Sequence, residues 1–151
     1  MTLLAITSTA LVVPRTPGDP TLRVYTGPRK TDDAPQVKEA LASSIPRRML
    51  RRMTRLGSMV VGGGMHALEG AGYRVPDECT PLGSVFGTAY GEITVACRIF
   101  EGGLDSRISP TSFHNSVHNA SLGYLSIFGG LRGPSLAISD STISGEESLW
   151  E

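Results

Sequence analysis

Charge is scarce in this sequence. Asp, Glu, Lys and Arg make up 19% of its 151 residues, against roughly 25% in an average globular protein. The 14 basic and 14 acidic residues cancel, which argues against a general nucleic-acid binder, because neutralising phosphates takes a surplus of Lys and Arg. Cysteine is rarer still. Cys79 and Cys97 stand apart without CxxC spacing, so no zinc site or redox motif is expected and a reduced, cytoplasmic chain is the simplest reading. Long apolar runs are missing too: none approaches the roughly 20 residues of a membrane span. The apolar opening segment lacks a basic flank, and its Thr, Val and Ile read as strand rather than signal helix.

What is present favours a folded chain rich in turns. The composition is 40% hydrophobic with 18 Gly and 10 Pro, and a chain of about 150 residues buries roughly two-thirds of its unfolded surface, so one domain with its own core is within reach.

Residues 3–13, LLAITSTALVV, form a β-branched run suited to a strand covered on both faces, broken by Pro14, Pro17, Gly18 and Pro20. A second short run covers Leu22 to Tyr25, and GPRKTDDAPQ after it reads as a surface loop. One or two helical turns fit residues 36–44. From Pro46 to Tyr73 apolar residues recur at spacings of three, four and seven, the pattern of a helix with Met49, Leu50, Met53 and Leu56 on its core side. Gly62, Gly63 and Gly64 cost about 1 kcal/mol each there relative to Ala, so either the helix is interrupted or something packs closely on its backbone. Beyond it the chain reads as a short strand within 82–92, a helix over 93–101, a loop around Gly102 and Gly103, a helix over 110–129 begun by Ser109-Pro110, and a buried strand within 131–139. This alternation points to an α/β layer with at least partly parallel strands.

Four features could carry chemistry. His114 and His118 in HNSVH are four apart and would share one helical face, the spacing of two metal ligands. No third ligand is evident, so hydrogen bonds at a packed helix interface are the favoured role and no metal is expected; His66 reads as structural. Arg47, Arg48, Arg51, Arg52 and Arg55 would form one broad basic helical face, either solvated or able to dock an acidic partner. The Gly clusters at 62–64, 87–91 and 129–133 match neither a phosphate loop nor a dinucleotide fingerprint, so no cofactor is expected. In LAISDSTISGE a strand runs into a sharp Ser/Thr/Gly turn and a helix start, a geometry resembling a nucleophile elbow, with a Ser/Thr-rich helix cap as the plainer reading.

The order RRMTRLGSMVVGGGMHALEGAGY, LGSVFGTAYGE and RISPTSFHNSVHNASLGYLSIFGGLRGPSLAIS resembles the N-terminal half of β-ketoacyl synthases, in particular the divergent subfamily associated with aryl-polyene and related polyketide or fatty-acid synthesis. The resemblance implies an α/β fold, the N-terminal half of a thiolase-like αβαβα sandwich. Residues 1–151 would form a single N-terminal-like domain truncated within the helix after Thr142. Active members carry a nucleophilic Cys after the strand that follows the RGP turn, and counting from Arg132-Gly133-Pro134 that position is Thr142, beside Ser141. An alcohol needs a positioned base where a thiol does not, and the family's active-site histidines belong to the other half, so self-sufficient condensation is not expected. The arrangement resembles a chain-length factor: a non-catalytic subunit that pairs with a ketosynthase, or self-associates. Phe113, His114, His118, Asn119, Tyr124, Ile127, Phe128, Ser135, Leu136 and Ile138 would lie at the interface, and the arginine face could dock an acyl carrier protein. The alternatives are an acyltransferase or thioester hydrolase using Thr142 or Ser141 with a base from the partner, and a simple binding module for the carrier.

Overall fold

The computed structural model describes residues 8–14, 22–26, 36–102 and 109–149. Residues 3–7 of the first apolar run, most of the GPRKTDDAPQ loop, the Pro17–Pro20 break, Gly103 and the last two residues lie outside the described residues.

The remainder of the first run forms β1 (Ala10–Pro14), which pairs antiparallel with β2 (Leu22–Thr26), Ala10 opposite Thr26 and Pro14 opposite Leu22. Helices α1 (Val37–Ala42) and α2 (Arg47–Leu50) lead to the longest element, α3 (Arg55–Gly70). Then come β3 (Ser84–Gly87), α4 (Ile93–Gly102), α5 (Pro110–His114), α6 (Ala120–Gly129), β4 (Ser135–Ile138) and, after a 3₁₀ turn at Ser141–Ile143, α7 (Ser144–Glu147). Strands β3 and β4 pair in parallel, Ser84 opposite Ser135 and Gly87 opposite Ile138, as the alternating pattern required.

The centre of the molecule is α3, which packs against α6, α1 and the β1–β2 hairpin. Val37, Leu41, Ile45, Val61, Met65 and Tyr124 form the buried core, with Met49, Leu50, Met53, Leu125 and Phe128 partly buried around it. The glycine triplet does not interrupt α3. A Cβ on Gly64 would fall 2.7 Å from Leu125 Cδ1, and one on Gly63 would fall 3.3 Å from Val12 Cγ2. Packing with α6 and β1 outweighs the propensity cost of three glycines.

Two expected long helices are each broken in two. Chain 46–73 leaves helical geometry at Arg51–Met53, and Thr54 then caps α3 by accepting a 2.8 Å hydrogen bond from the Gly57 amide. The five arginines therefore do not share one helical face: Arg47 and Arg48 lie on α2, Arg51 and Arg52 in the turn, and Arg55 at the start of α3. Chain 110–129 breaks at Asn115–Asn119, so His114 ends α5 while His118 lies in the turn before α6, and the shared face expected for them does not form. The strand expected to be buried, β4, is exposed at Ser135 and Leu136. No helix among the described residues is long and apolar enough to cross a membrane.

Candidate functional site

The turn after β4 is built by a serine. Ser144, buried at the start of α7, accepts a 2.7 Å hydrogen bond at Oγ from the Asp140 amide and donates a 3.1 Å bond to the Ser141 carbonyl. Those bonds close the segment tightly enough to hold Ser141 at φ 47°, a conformation that residues other than Gly, Asn and Asp seldom adopt. From β3, Gly87 makes room: a Cβ there would stand 2.2 Å from the Ser144 carbonyl oxygen. The sharp turn expected at 139–144 is present, and Thr142 sits exposed at its crest next to exposed Ser141.

Its chemistry is limited. Neither the Ser141 nor the Thr142 hydroxyl has a hydrogen-bond partner among the described residues, so no base is in place to take a proton from either alcohol. The helix that follows has four residues and buries Ser144 alone, so it offers little aligned dipole to an anion. Glu146 is exposed and Glu147 half-buried.

A second polar cluster, behind the first turn of α3, was not anticipated from sequence. Glu92, 5% exposed, accepts a 2.9 Å bond from Ser121 Oγ at Oε1, and the same oxygen accepts from Thr54 Oγ1. Beside it, buried Asn115 donates 2.8 Å from Nδ2 to the Arg52 carbonyl and accepts 2.9 Å at Oδ1 from the Tyr124 hydroxyl. Burial pushes the Tyr124 phenol above its ordinary value, and the Glu92 charge adds to this against the opposing pull of Arg52 and the Asn115 bond. Tyr124 also stacks on Phe128 at 6.2 Å and meets the His114 ring edge-on at 5.7 Å. These bonds join the starts of α3, α4 and α6, so the cluster is structural cement. Thr54 ahead of an apolar run is a cap signal that the continuous helical reading of 46–73 passed over; a lone Glu after Gly91 carries no signal of a buried acid.

The residues expected at an interface separate into two groups. Phe113 is 64% exposed, Ile127 71% and Leu136 44%, while His114, His118, Asn119 and Ser135 are also exposed and Ile138 is half-buried. Tyr124 is spent inside this chain's own core, and Phe128 is packed against it. His118 lies over Gly91, where a Cβ would come within 2.5 Å of its ring. Neither the His114 nor the His118 imidazole makes a hydrogen bond among the described residues; contact with Tyr124 and the close approach to Gly91 replace the bonds expected. His66 pairs with Glu69 on α3, Nδ1 to Oε2 3.8 Å. Arg47, Arg48, Arg51, Arg52 and Arg55 are all exposed. Cys79 is buried and Cys97 exposed, both as free thiols.

Two of three comparisons with known proteins place this architecture. The family model for the β-ketoacyl synthase N-terminal domain matches residues 26–151. Among solved structures, the chain is similar to one described as the ketosynthase ApeO in complex with its chain length factor ApeC from Xenorhabdus doucetiae, at 20% identity and a TM-score of 0.63, covering 95% of this chain and 57% of that one. It is also similar to a β-ketoacyl synthase from Burkholderia phymatum STM815, at 20% identity and a TM-score of 0.57, covering 82% of this chain and 29% of that one. This chain thus spans little more than half of one relative and less than a third of the other. The comparison with curated proteins gave no match.

Proposed function

The chain belongs to the β-ketoacyl synthase family through its N-terminal domain, and on that premise we propose that it is a non-catalytic ketosynthase-like subunit that supports acyl-chain elongation by an active partner, in fatty-acid or aryl-polyene-type polyketide synthesis. The observation that carries the reading is Thr142. It occupies the position where the family resemblance puts the nucleophilic Cys, on a formed turn, with no proton acceptor for its hydroxyl among the described residues. An acyl group held as a thioester needs a thiolate, and a threonine alcohol is not ionised near neutral pH. The chain then contributes surface, and the partner contributes the chemistry.

Exposed apolar side chains support a hetero-oligomer. Ile127 on α6 and Leu136 on β4 lie on neighbouring elements that the Ser126 and Ser135 hydroxyls link at 3.4 Å, and Phe113 projects from α5. Apolar area of this kind is what a subunit interface removes from water. The similarity to a ketosynthase solved with its chain length factor agrees with such a pairing. The exposed arginines at 47, 48, 51, 52 and 55 are the proposed contact for an acidic acyl carrier protein, to be tested by charge reversal at Arg51 and Arg55.

Co-expression with ketosynthase subunits followed by size-exclusion chromatography tests the proposal. A stable complex that Ile127→Ser and Leu136→Ser weaken is expected; failure to associate with any of them overturns it. The reading of Thr142 or Ser141 as an acyl-accepting nucleophile draws on the strained Ser141 backbone and is separated from the first by intact mass.

A further inference from the structure

We infer that the cavity between the end of α1 and the last turns of α3 is a site for a divalent first-row transition-metal ion. The cavity encloses about 270 Å³, and its polar lining is Ser43 and Ser44 just beyond α1 with His66 and Glu69 on α3. That volume falls below the range of organic ligand sites but holds an ion with its bound water. It shares no residue with the Ser141–Thr142 turn or the proposed partner surface, and the inference does not rest on the proposed function.

The donor set dictates the class of ion. His66 Nδ1 and Glu69 Oε2 stand 3.8 Å apart, too far for a hydrogen bond but within the roughly 4.3 Å that one ion at zinc-like bond lengths can bridge. Neither side chain has another partner among the described residues. An imidazole nitrogen beside a carboxylate oxygen suits zinc, nickel or cobalt, whereas magnesium and calcium take oxygen ligands alone. No third His, Cys, Asp or Glu joins the pair among the described residues, so water fills the remaining positions of an open site.

The surroundings favour a cation. Ser43 Oγ donates a 3.1 Å bond to the Ala40 carbonyl and lies 3.5 Å from Ser44 Oγ, which leaves lone pairs on these oxygens for metal-bound water. The cavity lies by the C-terminal turns of α1 and α3, and no basic residue in either last turn offsets their partial negative charge.

Calorimetric titration of the 151-residue chain with the chlorides of Ni(II), Co(II) and Mn(II) tests the site. Saturable one-to-one binding is expected, tightest for Ni(II) and weakest for Mn(II). His66→Gln and Glu69→Gln should each weaken Ni(II) by about tenfold or more. Both residues lie outside the buried core, so the metal-free variants should melt with the parent, while Ni(II) should raise the melting temperature of the parent above that of either variant. Cys97→Ser and the double variant His114→Gln, His118→Gln, which remove exposed donors elsewhere, should bind Ni(II) as the parent does. The inference is overturned if Ni(II) fails to saturate, if His66→Gln or Glu69→Gln leaves the affinity unchanged, if excess Mg(II) displaces Ni(II), or if the loss follows Cys97 or the His114 and His118 pair instead.

Discussion

Around α3 the apolar side chains are used up inside the chain, whereas along α4 and the β3–β4 face they are not. Leu41, Ile45, Val61 and Met65 are each less than a twentieth exposed, while Phe100 on α4 is 85% exposed, Ile93 53%, and Val85 and Leu136 on the strands 42% and 44%. The polar groups follow the same division. Glu92, Asn115, Ser121 and Tyr124 are bonded to one another or to neighbouring elements, while the hydroxyls of Ser141 and Thr142 face solvent with no partner among the described residues. One region stabilises itself; the other presents surface that a partner could cover.

The contrast can be broken most forcefully in the core. Leu41→Ala should cost about 2–5 kcal/mol by transfer and cavity terms, whereas Ile127→Ser should change monomer stability by roughly 0.5 kcal/mol or less; chemical denaturation of both variants measures the gap, and equal losses would remove the distinction. Next comes the cement: Glu92→Leu leaves the Thr54 and Ser121 hydroxyls without their shared acceptor, an expected loss of about 2–3 kcal/mol. Tyr124→Phe should cost about 1 kcal/mol for the lost bond to Asn115. Because folding raises the Tyr124 pKa above the unfolded value, its contribution is complete below pH 10.0 and is lost as pH rises through the higher folded value. Ultraviolet titration should accordingly find one tyrosine ionising late, absent in Tyr124→Phe. The smallest effect is a rate. Burial raises the Cys79 thiol pKa, with Glu78 adding to it, so a disulfide reagent should modify exposed Cys97 in the native protein and reach Cys79 only on unfolding.

How legible each region was in the sequence follows from what decides its structure. The strand–helix alternation, the parallel β3–β4 pair and the turn at Ser141–Ile143 were readable because apolar spacing and Gly/Ser punctuation are local signals. Continuity of α3 through Gly62, Gly63 and Gly64 was not decidable locally, since the outcome rests on Leu125 and Val12, residues distant in sequence. The breaks at Arg51–Met53 and Asn115–Asn119 escaped for the converse reason: the apolar period carries across them, and tertiary bonds to Thr54 and Asn115 terminate the helices. In HNSVH, the helical spacing of the two histidines pointed to a shared face, but Asn115 between them became the residue with buried bonds. The assignment of Thr142 to the nucleophile position rests on counting from the RGP turn and stays a proposal. The absence of a described acceptor for its hydroxyl needed coordinates.

The most direct test of the non-catalytic reading is intact mass spectrometry of this chain mixed with an active ketosynthase and an acylated carrier protein. The expected result is an acyl adduct on the ketosynthase and none on this chain. An adduct mapping to Thr142 or Ser141 would contradict the account.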